Sequence, residues 1–147
     1  MKKNFIIAVF LISFAVVEYT SAGSLKNLDE KSYEKYETNL LEGLNSENFG
    51  LQFSCAYLLG ELQSEKAVLP LVKLLRESTS EDLRIISALS LIKIDSELGI
   101  FMVKQGQKFN DNEKTREKCT RFYTAYIMEK YDIGLQNVNL FAIEVVK

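Results

Sequence analysis

The stretch Leu51-Gln52-Phe53-Ser54-Cys55-Ala56-Tyr57-Leu58-Leu59-Gly60-Glu61-Leu62 is answered, at an offset of 32, by Leu83-Arg84-Ile85-Ile86-Ser87-Ala88-Leu89-Ser90-Leu91-Ile92-Lys93-Ile94. Leu51 aligns with Leu83, Cys55 with Ser87, Ala56 with Ala88, Leu59 with Leu91 and Leu62 with Ile94. At the same offset again, Arg116 aligns with Arg84, Cys119 with Ser87, Tyr123 with Leu91 and Tyr126 with Ile94. A fixed period of this size is the mark of a stacked repeat, because each unit alone cannot bury its apolar face. At 100° per residue Leu51, Cys55, Leu58, Leu59 and Leu62 form one stripe, so the repeating element is an amphipathic helix.

The segments between these helices echo each other too. Asn39–Leu44 resembles Pro70–Leu75 at an offset of 31, with a weak third copy at Met102–Gly106. The reading is six helices in three pairs, over 29–44 and 48–62, 65–77 and 81–94, 97–106 and 112–131. Ser46, Ser64, Ser80 and Ser96 lie just ahead of helices, where a hydroxyl caps free N–H groups. Glu47, Glu65, Glu81 and Glu97 follow them and set negative charge against the helix dipole. Pro70 falls inside the third helix and is expected to bend it. The helix over 81–94 is apolar nearly all round, as expected of one enclosed by neighbours. The helix over 112–131 carries Lys114, Arg116, Glu117, Lys118 and Arg121 and reads as a capping end with one wet face. The first helix, with Asp29, Glu30, Lys31, Glu34, Lys35 and Glu37, reads as the polar outer face of the other end.

This pattern resembles the HEAT repeat family, in its short bacterial form related to phycobilisome-lyase-type repeats. The resemblance is carried by Leu51–Leu62, by the run SEKAVLPLVKLL at Ser64–Leu75 and by Ser80–Ile94, and it spans about residues 30–131. It implies an all-α chain: a right-handed α-solenoid of about three helical hairpins. It also implies that Pro70 sits at a habitual proline position. Arg84 and Arg116 would then be structural arginines that reach an acidic partner within the stack, with Gln52 departing from that pattern.

Lys2 and Lys3 precede the apolar run Phe5–Val17, and small polar residues follow through Ser24. That is the three-part pattern of a secretory signal peptide, with cleavage expected after Ala22. The run is shorter than the roughly 20 residues of a spanning helix, so membrane association is expected only through this segment if it stays uncleaved. The domain division is therefore 1–22 signal peptide, 23–131 repeat domain and 132–147 C-terminal tail. In the tail, Gly134, Asn137 and Asn139 disfavour helix, and Val138–Val145 permits an extended stretch. The compartment expected is periplasmic or secreted, in a bacterium.

Chemistry is poorly represented. The chain has no histidine, which removes His-based triads, His bases and His metal ligands. A net charge of −2 gives no basic footprint for nucleic acid. Glycines are scattered singly, without a phosphate loop. Cys55 and Cys119 hold the same position two units apart, about 20 Å at ordinary helix spacings, too far for a disulfide. The carboxylates Glu34, Glu37, Glu61, Glu77, Asp82, Glu113 and Glu117 are expected at caps and on solvent faces. The function expected is a protein–protein interaction or scaffold module with no catalysis and no cofactor. The alternative is an accessory lyase-type or ligand-binding repeat protein.

The candidate working face lies away from the core stripe of the second helix in each pair. It comprises Phe53, Tyr57 and Gly60, then Ile85, Leu89 and Ile92, then Glu117, Arg121 and Thr124. The six candidate contact residues for another protein are Phe53, Tyr57, Ile85, Leu89, Glu117 and Arg121. Aromatic and arginine side chains anchor interfaces most often, which favours Tyr57 and Arg121.

Overall fold

The computed structural model describes residues 29–132; the expected signal segment, and the tail beyond its first residue, lie outside them. The elements are α1 (Glu30–Gly43), α2 (Phe49–Glu61), a 3₁₀ turn (Glu65–Ala67) running into α3 (Val68–Glu77), α4 (Glu81–Ile94), α5 (Glu97–Phe109) and α6 (Glu113–Lys130). The described residues contain no strand. Helix α1 packs on α2, α3 on α4 and α5 on α6; α4 also lies against α2 and α6, and α3 against α5. Each expected helix is present, and α5 continues past its expected end at Gly106 to Phe109.

The period of 32 is written most plainly in the turns. Asn48, Ser80 and Asn112 are the N-caps of α2, α4 and α6, and their side chains accept from the N–H groups of Leu51, Leu83 and Thr115. Two positions earlier, Ser46, Ser78 and Asn110 each accept a hydrogen bond from the cap residue's own N–H, at 3.1 Å in all three. Ser46 is thus a turn residue rather than the cap, which is Asn48. At the far ends, Gln63 and Asp95 take left-handed backbone, φ 53° and 57°, and close α2 and α4. That conformation is costly for glutamine, and the Gln63 side chain offsets it by donating to the Lys93 carbonyl at 3.0 Å.

The core is built from Leu59, Leu71, Leu75, Leu91 and Val103, all at or near zero exposure, with Ile86, Ala88, Cys119 and Tyr123 around them. Small residues set how closely helices approach. A Cβ on Gly60 would lie 2.7 Å from the Ser90 Cβ and 2.8 Å from its Cα, and the Ser90 hydroxyl donates to the Ala56 carbonyl at 2.8 Å. Gly43 and Gly106 back onto the sulfurs of Cys55 and Cys119 in the same way. Both cysteines are free and buried.

Further expectations need correction. Leu51 is not core: it is 50% exposed, whereas Leu83, at the same place in α4, is buried. Ser64 makes no cap hydrogen bond; its hydroxyl turns back to donate to Glu37 at 2.5 Å. Glu37 is not on a solvent face, being only 3% exposed. Pro70 does not bend a continuous helix. The 3₁₀ turn ends at Ala67, so Pro70 is the third residue of α3, where a backbone N–H would have no intrahelical partner anyway.

Arg84 meets an acidic partner, Asp111. Its guanidinium donates to the Ser78 carbonyl, to Asn110 at 3.0 Å and to Asp111, so it ties the turn before α4 to the turn before α6. Arg116 repeats the first of these contacts one repeat later, donating to the Asn110 carbonyl at 2.8 Å. No acidic partner completes it among the described residues.

Candidate partner-binding face

Helices α2, α4 and α6 lie side by side, and positions offset by about one repeat meet across them. Lys93 pairs with Glu61, Lys114 with Glu81, and the Tyr126 hydroxyl donates to Asp95 at 2.6 Å. This lateral register puts Phe53, Ile85 and Glu117 in one row and Tyr57, Leu89 and Arg121 in the next. The six candidate residues therefore fall on one face in two rows. The face changes from aromatic on α2, through aliphatic on α4, to charged on α6.

Exposure differs along it. Tyr57 is 40% exposed, and the Lys93 ammonium lies 4.9 Å above its ring. Phe53 is half-buried and tilts against Phe49 with ring centroids 6.0 Å apart. Ile85, Leu89 and Ile92 are half-buried, and Leu89 and Ile92 pack against the core. Glu117 and Arg121 are exposed and form a loose i,i+4 pair at 3.8 Å. Thr124 is exposed, whereas Gly60 is buried under Ser90 and is no part of the surface.

At the C-terminal end of this face opens a cleft of about 550 Å³, lined by Glu61, Gln63, Lys93, Asp95, Tyr126 and Lys130 among others. It holds two similar clusters. In the first, Lys93 bonds Glu61 and covers the Tyr57 ring. In the second, Lys130 bonds the Tyr126 hydroxyl, lies 4.9 Å from its ring centroid and 3.7 Å from Asp95. The hydrogen bond from Lys93 holds the Glu61 carboxyl below its ordinary range despite partial burial. Burial and the bond to Asp95 push the Tyr126 hydroxyl up. Burial alone raises the Cys119 thiol to about 11.

These environments keep the Glu61 carboxyl charged and the Cys55 and Cys119 thiols protonated at neutral pH. A general acid needs a raised carboxyl and a nucleophilic cysteine a lowered thiol; both shifts run the other way here. No cluster of three or more metal-ligating side chains occurs among the described residues. What the face offers is contact: rings, aliphatic side chains and paired charges. The sequence reading missed the cleft residues Glu61, Lys93, Asp95, Tyr126 and Lys130. The signal was available, since the period that aligns the helices also sets Glu61 and Lys93, opposite charges, at matching positions.

Comparison of the chain with protein-family models and with curated proteins gives no match in either.

Proposed function

We propose that this chain is a non-catalytic protein-binding module: a right-handed, HEAT-like solenoid of three helical hairpins, exported behind a cleaved signal peptide. The partner is another protein, held on the face of α2, α4 and α6. The observation that carries this reading is the exposed Tyr57 ring at the aromatic end of two rows that grade from apolar to charged. Aromatic anchors beside half-buried aliphatics and a rim of charge match the composition of interface hot spots. The paired carboxylates and protonated thiols support the absence of catalysis. The Lys2–Lys3 and Phe5–Val17 pattern supports export to the periplasm or beyond, with a mature chain beginning near Gly23.

The test is the triple variant Tyr57→Ser, Leu89→Ser, Arg121→Glu, used as bait in envelope extract beside the unaltered protein. Loss of a specifically captured protein with an unchanged melting temperature supports the reading. Equal capture by the two baits contradicts it. Unfolding of the variant would show that these side chains are core, and single Tyr57→Ser and Arg121→Glu variants then carry the test.

A further inference from the structure

Helices α3 and α5 present a second surface of different chemistry. Phe109 at 77% and Leu69 at 68% are the most exposed large apolar side chains among the described residues, with Phe101 and Leu98 also well exposed. Leu69 and Phe101 share the offset of 32, as do Arg76 and Lys108, so each pair recurs at one position in successive hairpins. At 100° per residue Leu69, Lys73 and Arg76 fall within about 60° on α3, and Phe101, Lys104 and Lys108 within about 60° on α5. Both arcs point away from the buried Leu71, Leu75 and Val103. The two helices touch, and Arg76 and Phe109 face a common cleft between them.

The charge of this surface is unlike that of the chain. Lys73, Arg76, Lys104 and Lys108 are all solvent-accessible, and none makes an ion pair with a described residue. Lys104 leans towards the Tyr123 ring at 5.7 Å, a contact that leaves its charge uncompensated. The acidic neighbours on the same helices are Glu77 and Glu97, one at an end of each. Four cations without carboxylate partners among the described residues stand around protruding phenylalanine and leucine on a chain of net charge −2. Protein interfaces are depleted in lysine. A bilayer boundary favours it, because the stem lies along apolar surface while the ammonium reaches lipid phosphate.

We propose that the α3–α5 surface docks on an anionic lipid bilayer. Phe101, Phe109 and Leu69 enter the headgroup boundary, and Lys73, Arg76, Lys104 and Lys108 meet lipid phosphates.

The chain has no tryptophan, so a single Phe109→Trp or Phe101→Trp substitution reports on this surface alone, and Tyr57→Trp reports on the α2 face. The apolar run Phe5–Val17 would associate with neutral and anionic lipid alike, so the readout is local emission rather than total binding. Full-length variants are titrated with vesicles of phosphatidylcholine alone and of equal parts phosphatidylcholine and phosphatidylglycerol. A blue shift at positions 101 and 109 but not 57, seen only with the anionic vesicles and reversed near 1 M salt where the Debye length is about 3 Å, is the expected result. Adding Lys73→Glu and Lys108→Glu should weaken the shift's lipid dependence by on the order of tenfold or more. No shift at 101 and 109, or an equal shift with neutral vesicles, overturns the proposal. A shift that follows protein concentration without lipid overturns it in favour of a second copy of the chain.

Discussion

Helices α4 and α6 stand one repeat apart in the same role and are built of different material. Eight of the fourteen residues of α4 are buried, Arg84, Ser87 and Ser90 among them, whereas α6 buries three of eighteen: Thr115, Cys119 and Tyr123. The difference follows from neighbours. Helix α4 has α2 and α6 beside it and α3 and α5 against it; among the described residues α6 packs mainly on α4 and α5. The number of packed neighbours, not position in the period of 32, decides how many faces of a helix must be apolar or hydrogen-bonded.

The largest effect should come from the centre. Leu91→Ala removes a side chain with no exposed surface and should cost about 2–5 kcal/mol. Ile127→Ala, on the half-buried flank of α6, should cost only about 1 kcal/mol, since much of its apolar area already faces water. Urea midpoints of the two variants check this, and equal losses would break the contrast.

Next is the seam between α2 and α4. A methyl group at Gly60 meets Ser90 backbone, while one at Gly106 meets only the Cys119 side chain, its sulfur at 2.9 Å. Overpacking against backbone forces helices apart, so Gly60→Ala should cost about 1–3 kcal/mol and Gly106→Ala clearly less. Thermal unfolding of the pair sharpens the comparison by showing which seam can relax.

Much of this was legible in the residues. The six helices followed from the apolar period and its offset of 32. The turns were read less well, because Ser46 and Ser64 carry the same cap chemistry as Ser80 and Ser96. The choice among them depends on tertiary partners: Asn48 outcompetes Ser46, and Glu37 draws the Ser64 hydroxyl away from its helix. Leu51 matched Leu83 in sequence, yet Leu83 is buried and Leu51 is not, since only the later helix has a neighbour on that side. The candidate face lies along α2, α4 and α6, the second helix of each pair. Its degree of cover, and the burial of Gly60, depend on interhelix distances that no periodicity encodes.

The two arginines divide by the same logic. Arg84 is buried and bridges two turns, so Arg84→Met should cost about 1–3 kcal/mol through orphaned acceptors. Arg116 reaches only carbonyls of its own turn, and Arg116→Met should cost below about 1 kcal/mol. Denaturant titration of both decides.

The smallest effect lies at the other end, where Glu37 joins α1 to the turn before α3. Burial pushes its carboxyl up, but bonds from Lys66 at 2.7 Å and Ser64 at 2.5 Å outweigh burial and hold it below the ordinary value of 4.5. A lowered folded value means that this stabilisation is present above about pH 4.5 and is lost as pH falls through the folded value. Melting temperature should therefore drop between about pH 5 and pH 3, and Glu37→Gln should shallow that slope while lowering stability at neutral pH. An unchanged slope would place the acid sensitivity elsewhere.

Residue-resolved hydrogen exchange on the native protein bears most directly on the contrast between centre and end. Amides of α4 between Ile86 and Leu91 should exchange only with global unfolding, while those of α1 and of α6 beyond Tyr123, with fewer packed neighbours, open at lower free energy. Equal protection along α4 and α6, or faster exchange in α4, would contradict an architecture in which α4 is held from every side.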